Sequence, residues 1–438
     1  MPTPAGPPAR ELGLWPATAL VVGHAIGVGI FLTPSELIGA LASPALTLGL
    51  WLICGAIVLA GAFTFGELAS RYPHAGGPYI YLREAWGPRI AFLYGWQSLL
   101  IMDPGVTAAL TTGMSQYLVV LWPAATGFER PIAVLTIWTL ALVNLTGLKL
   151  GARIFGAMTA FKLLALAAIV IAAFTVGDGH WSNFRSVAGA RAGAPPLAEA
   201  LALGLVSVFF SFAGFWEASR IAGDVRDPRR TLPLALGLGV ACLTLVYVVT
   251  TAAFIYLVPV RDATSAAAFA RRAGEAMLGS AGPPLLAAMV VLSVIVSATA
   301  LMIMAPRLYV AMSRDGLFPS ALAALHPVTQ APARASAVLA ALASGFVMIG
   351  SFEQIVSFVV CTAMGFIALA AAALLVVRRR NPQAGGFRAP GYPWTTGLFV
   401  LLVSGVVLLV GINRPLQAMA GLGIVALGWV FGKLGIKN

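Results

Sequence analysis

Few side chains in this sequence can do chemistry, and most of them stand inside long apolar runs. Lys162 lies within Thr159-Ala160-Phe161-Lys162-Leu163-Leu164-Ala165-Leu166. A charge at the centre of a membrane helix costs about 2.5–3.5 kcal/mol or more, so this lysine must carry a function or snorkel to an interface. Glu217 closes the run Phe209-Phe210-Ser211-Phe212-Ala213-Gly214-Phe215-Trp216-Glu217. It is a candidate gate, charge tuner or proton carrier, and a structural ion pair with Arg220 accounts for it equally. His24 is a candidate titrating group, against the plainer reading of a packed helical histidine. Asp103 precedes Pro104 and is read as satisfying backbone groups that the proline frees. Glu67 is read as structural, and Arg226, Asp227, Arg229 and Arg230 as topology determinants and loop contacts.

Backbone can also do chemistry where glycines cluster. Gly23, Gly27 and Gly29 fall in the middle of one apolar run. Each glycine costs a helix about 1 kcal/mol relative to alanine, so the cluster predicts an unwound stretch. Such a break frees N–H groups at one half-helix start and carbonyls at the other half-helix end. The first attract a carboxylate and the second an ammonium or a metal ion, and a zwitterionic amino acid offers both partners. Gly23-x-x-x-Gly27 also suits close helix packing, and that alternative stays open here. A counterpart break is expected around Ala213-Gly214 in the sixth run, supported by its place in the chain rather than by its single glycine.

The elements that must position these groups are membrane helices. The chain of 438 residues is 60% hydrophobic and only 10% charged, with a mean hydropathy of +0.93. A soluble globular chain carries about 25% charged residues. Twelve apolar segments are expected, at 14–38, 45–70, 89–121, 131–147, 153–177, 197–220, 231–258, 283–311, 333–350, 353–377, 395–411 and 415–433. With the N-terminus inside, nineteen Lys and Arg fall on the cytoplasmic side, Arg220 among them, and seven on the other. That bias predicts both termini in the cytoplasm. The net charge of +12 does not indicate nucleic-acid binding, because the basic residues alternate with apolar runs and form no stripe. The division expected is a first inverted repeat over 12–177, a second over 197–377 and two appended helices over 395–433. Met1 to Gly13 lacks a cleavage site and is not expected to be a signal peptide. Cys54, Cys242 and Cys361 are far apart and predict neither disulfide nor metal site.

Three stretches resemble the amino acid–polyamine–organocation superfamily, and within it the L-type amino acid transporter-like bacterial permeases. They are Gly27-Val28-Gly29-Ile30-Phe31-Leu32-Thr33-Pro34, Gly66-Glu67-Leu68 through Tyr72-Pro73-His74-Ala75-Gly76-Gly77-Pro78-Tyr79 to Trp86-Gly87-Pro88, and Ala222-Gly223-Asp224-Val225-Arg226-Asp227-Pro228-Arg229-Arg230-Thr231-Leu232-Pro233. The resemblance implies an all-α integral membrane fold of twelve transmembrane helices. It would be a leucine-transporter-type five-plus-five inverted repeat, with helices 1 and 6 unwound. It implies a substrate site formed by Ala25, Ile26, Gly27, Val28 and Gly29 with Phe210, Ser211, Phe212, Ala213 and Gly214. The carboxylate would meet N–H groups around Val28 and Gly29. The amino group would meet the carbonyls of Ala25, Phe210 and Ala213, and Phe210 would be an aromatic lid. Lys162 would stand where sodium-coupled relatives hold an ion, bridging the first and eighth helices and acting in coupling. Val28 stands where many relatives have serine or threonine, so recognition there would rest on backbone, and Val28→Ser should be tolerated. Phe215-Trp216 replaces a frequent Trp-Asn.

The function expected is sodium-independent secondary transport of small neutral L-amino acids by alternating access, as exchanger or proton symporter, at the plasma membrane. A polyamine or organic-cation permease ranks below it, because few carboxylates are at hand. No His/Asp/Ser constellation predicts an enzyme. No cofactor is expected. No covalent ancillary subunit is expected either, since the loop from Leu121 to Pro131 contains no cysteine.

Overall fold

In lipid every backbone polar group must bond within its own segment, which leaves an apolar chain little choice but helices. The structure, a computed structural model, describes residues 12–27, 29–145, 148–185, 196–259, 266–350, 352–383 and 386–435. The helices are, in order, α1 Leu14–Ala25, α2 Gly29–Leu41, α3 Pro44–Arg71, α4 Pro78–Trp86, α5 Pro88–Gln97, α6 Asp103–Leu121, α7 Glu129–Asn144 and α8 Leu148–Thr175. They continue as α9 Leu197–Phe212, α10 Pro228–Leu257, α11 Ala266–Leu278, α12 Gly282–Arg314, α13 Ala333–Ile349, α14 Phe352–Arg380, α15 Trp394–Asn413 and α16 Pro415–Gly435. Among the described residues eight helices are long and apolar enough to cross a membrane, or nine with α1 and α2 as one bent span.

The starts and stops follow local chemistry. α3, α4, α5 and α10 each begin at proline, whose missing N–H costs nothing in the first turn. Arg71 ends α3, and Arg378, Arg379 and Arg380 end α14, where cations suit the helix carbonyl end. Glu67 ties these two ends together. Its Oε1 pairs with Arg71 at 2.7 Å and Arg378 at 3.1 Å, while Oε2 accepts the Ala389 N–H at 2.7 Å.

α12 forms the centre of the molecule and α16 its rim. The apolar window of Arg271–Arg314 is 78% buried, against 17% for Pro415–Gly432. α1 packs against α8, α10 and α12, and α3 runs along α10. Leu12 pairs with the end of the stretch after α9. Its N–H donates to Asp224 O at 3.0 Å, and its carbonyl accepts the Arg226 N–H at 2.7 Å.

The third apolar segment is not one continuous helix. A π-helical turn, Ser98–Met102, separates α5 from α6. Two further helices lie in stretches read as loops. α4 buries Tyr79, Ile80, Leu82 and Ala85, and α11 carries an exposed Arg271–Glu275 pair at 3.1 Å opposite buried Ala273 and Met277. Both are too short to span a bilayer, which is why hydropathy passes over them. Cys54 is buried and Cys242 partly so, both as free thiols; the side chain of Cys361 lies outside the described residues.

Candidate functional site

α1 ends at Ala25, Ile26 leaves helical geometry with ψ near 82°, and α2 departs at 55° to α1. Val28 lies outside the described residues. Three carbonyls at this break, those of Gly23, Ala25 and Ile26, have partners. Gly23 O accepts from Lys162 Nζ at 3.1 Å and Ser297 Oγ at 3.0 Å. Ile26 O accepts from Lys162 Nζ and, at 2.9 Å, from Ser297 Oγ. Lys162 Nζ also donates to Ser293 O at 3.3 Å, so the ammonium links α8 to both α1 and α12. Lys162 is fully buried, which rules out the snorkelling expected as its alternative. Ala25 O accepts the Gly27 N–H at 2.8 Å and lies 3.1 Å from Tyr247 Oη.

Gly23 settles the open question about the glycine cluster in both directions. It is still helical, and a Cβ there would sit 2.4 Å from Phe155 Cζ and Thr159 Oγ1, so it serves packing against α8. The unwinding belongs to the residues after Ala25.

The second break is also present. α9 stops at Phe212, Ala213 turns to extended geometry, and Gly214 takes a left-handed φ of +97°. A 3-10 helix, Phe215–Asp224, continues the chain. Gly214 is required twice over, since a Cβ would also lie 2.5 Å from His24 Cδ2. The two breaks therefore touch. Tyr247 Oη sits 2.6 Å from Ser211 O as well as near Ala25 O, and Thr33 Oγ1 lies 2.9 Å from Ser211 Oγ.

Between the breaks is a cavity that is mostly apolar with a few placed polar groups, the usual character of a small-molecule site. His24, Ala25, Gly27 and Gly29 line it from the first break, and Phe210, Ser211, Ala213, Gly214, Trp216 and Glu217 from the second. Met102, Asp103, Val106 and Leu110 come from the π-turn and α6, Leu301 from α12, and Val359 and Met364 from α14. Two expected site residues do not line it. The Ile26 side chain is fully buried and contributes only its carbonyl, which Lys162 and Ser297 occupy. Phe212 packs instead on Trp51 and Tyr247, with ring centroids 5.9 and 5.0 Å away. Phe210 O, proposed for an amino group, accepts the Ala213 N–H at 3.0 Å.

Arg220 needs a larger correction. Counted above with the cytoplasmic charges, it is fully buried beneath the cavity. Its Nη1 donates to Asp103 Oδ1 at 3.0 Å and Oδ2 at 2.9 Å, and its Nη2 to Tyr94 Oη at 2.9 Å. Tyr309 Oη donates to Asp103 Oδ2 at 2.8 Å. Asp103 therefore holds a guanidinium and a phenol, not backbone groups freed by Pro104. Glu217 also pairs with Arg220, at 2.6 Å from Nε. His24 Nδ1 lies 3.2 Å from Ser297 O.

The family model for amino acid permeases matches residues 12–429, nearly the whole chain. The chain belongs to the amino acid permease family. This permease is 25% identical to the serine/threonine exchanger of Bacillus subtilis, over 95% of its own length and 94% of that protein. It is 28% identical to the human cystine/glutamate transporter, over 85% of its own length and 75% of that chain. It is also 28% identical to the rabbit (Oryctolagus cuniculus) b(0,+)-type amino acid transporter 1, over 84% and 76%. The permease is thus a multi-pass membrane transporter and not an enzyme.

Sequence reasoning missed Tyr247, Ser293 and Ser297, the hydroxyl and carbonyl partners of the first break. Nothing in their local sequence marks them, because each is a single hydroxyl-bearing residue on a long helix. Asp103 and Arg220 did carry a signal as charges next to apolar runs, but their pairing across 117 residues was not legible.

Proposed function

We propose that this permease is a sodium-independent amino acid transporter for small neutral L-amino acids, working by alternating access. The carrying observation is Lys162, whose ammonium sits on the carbonyls of Gly23, Ile26 and Ser293. A fixed cation there does the work of a bound metal ion: it partners the carbonyls of the broken helix and joins α8 to α12. The Gly27–Gly29 turn is assigned to the substrate carboxylate through backbone N–H groups, and Phe210 to the lid. Lys162, Glu217 and His24 are the groups assigned to coupling and gating.

The twelve apolar segments of the sequence are read as twelve spans, arranged as two inverted repeats of five with α15 and α16 appended. Both termini are placed in the cytoplasm of a plasma-membrane protein, functioning as a single chain. Exchange is the favoured mode, since the Bacillus subtilis relative bears that name. Polyamine transport is disfavoured because both cavity carboxylates, Asp103 and Glu217, are held by Arg220. The test is uptake into proteoliposomes. Alanine uptake driven by internal alanine without sodium supports the reading. Strict dependence on a sodium gradient overturns the role given to Lys162, and putrescine outcompeting alanine overturns the substrate class.

A further inference from the structure

The polar side chains that line the cavity are already engaged by the protein, and the apolar ones are gathered on three helices. Arg220 holds both Asp103 and Glu217, and Glu217 Oε1 also accepts the Trp216 Nε1–H at 2.8 Å. The Ser211 hydroxyl gives its one proton to Ser207 O at 3.1 Å, so it accepts from Thr33 Oγ1. His24 Nδ1 lies against Ser297 O, and the Cδ2–Nε2 edge of its ring packs on Gly214. The π-turn and α6 contribute Met102, Val106 and Leu110, α12 contributes Leu301, and α14 contributes Val359 and Met364. Asp103 apart, these three helices bring no side-chain oxygen or nitrogen to the cavity. Their only heteroatoms are the two thioether sulfurs, which are weak acceptors.

We infer that the wall built by α6, α12 and α14 receives the substrate side chain and selects an aliphatic one without hydroxyl, amide or charge, as in valine, leucine, isoleucine or methionine. This rests on the amino acid transport reading above and narrows its substrate class. Met102, Val106 and Leu110 recur at every fourth residue, so they stack along one helix face. Leu110 brings that face to the first break, its Cδ2 3.3 Å from where a Gly27 Cβ would be. The apolar wall therefore starts beside the turn assigned to the substrate's main chain. α14 closes on α6 at Gly105, where a Cβ would strike Val359 Cγ2. An aliphatic side chain set against this wall gains by leaving water. A hydroxyl or amide set there leaves water as well and finds no hydrogen-bond partner in exchange. Val106, Leu110, Leu301, Val359 and the two methionines are thus the specificity-determining residues.

Valine and threonine have nearly the same shape, as do leucine and asparagine, so each pair isolates the polar group. The experiment is counterflow of labelled alanine by the purified full-length protein in proteoliposomes, competed by these four amino acids. It is paired with thermal stabilisation of the same protein in detergent by each. Valine should compete and stabilise at about tenfold lower concentration than threonine, and leucine likewise against asparagine. Met364→Gln keeps the length of the side chain and sets an amide in the wall, so it should at least halve both ratios. Equal potency within either pair on the wild-type protein overturns the inference, with no need of a variant. So does threonine outperforming valine. Unchanged ratios in a Met364→Gln protein that still exchanges alanine overturn the assignment to this wall. Absent alanine counterflow sinks the transport reading instead, and the thermal ranking within the two pairs still decides the side-chain preference.

Discussion

The two breaks meet at one cavity but are stitched by opposite chemistry. At the first, bare carbonyls dominate, and an ammonium and hydroxyls from α8, α10 and α12 are brought to them. At the second, side chains dominate, and the 3-10 stretch after Gly214 is anchored by Arg220 between two carboxylates. The lesson is that two interruptions facing one cavity need not share one kind of fastening. The first break spends its polar partners on backbone carbonyls, and its Gly27 N–H is itself taken up by Ala25 O. The second spends them on side chains, with both carboxylates held by Arg220.

That contrast can be broken in graded steps. The largest effect is expected from Gly29→Val. A Cβ at Gly29 would lie 2.8 Å from Ser211 Oγ, so the turn must shift, and substrate binding should fall beyond detection in a thermal-shift titration. Next, Arg220→Met leaves Asp103 and Glu217 buried without their cation. Removing one partner of a buried ion pair costs about 3–5 kcal/mol, so the purified protein should melt markedly earlier in detergent. Lys162→Met should cost less, about 1–3 kcal/mol, because the Ser297 hydroxyl, 3.0 Å from Gly23 O and 2.9 Å from Ile26 O, still shares its one proton between them. Its larger consequence should be seen in proteoliposomes as lost exchange. Should Arg220→Met and Lys162→Met cost the same, the distinction between the two fastenings would fall. The smallest effect is expected for Tyr247→Phe. It removes one hydroxyl between Ala25 O and Ser211 O, for about 0.5–1.5 kcal/mol, and should slow transport less than tenfold.

Much of this was legible in the sequence because apolar runs and glycine placement are local signals. Most of the long apolar helices and the first break followed from them, while Lys162 stayed open between a buried bridge and snorkelling. What was not legible depended on distance along the chain. Asp103 meets Arg220 and Tyr309 only because α6, the 3-10 stretch and α12 converge, and no local pattern encodes that convergence. Arg220 was counted among the topology charges for the same reason: its pairing with the nearby Glu217 was one reading of the sequence, but its second acid, Asp103, comes from a distant helix. Ile26 and Phe212 were placed in the site by adjacency to it, whereas an unwound turn points alternate residues away from the cavity.

The pairing of Leu12 with Asp224 and Arg226 has a mechanical consequence. It clasps the chain entering the first broken helix to the chain leaving the second, through two main-chain hydrogen bonds that only proline, lacking an N–H, would remove. Any rearrangement that keeps this clasp closed must swing α1 and the 3-10 stretch as a single lever. Motion that separates them must first unfasten it, which makes this short junction the natural place to watch for the two half-helices parting company.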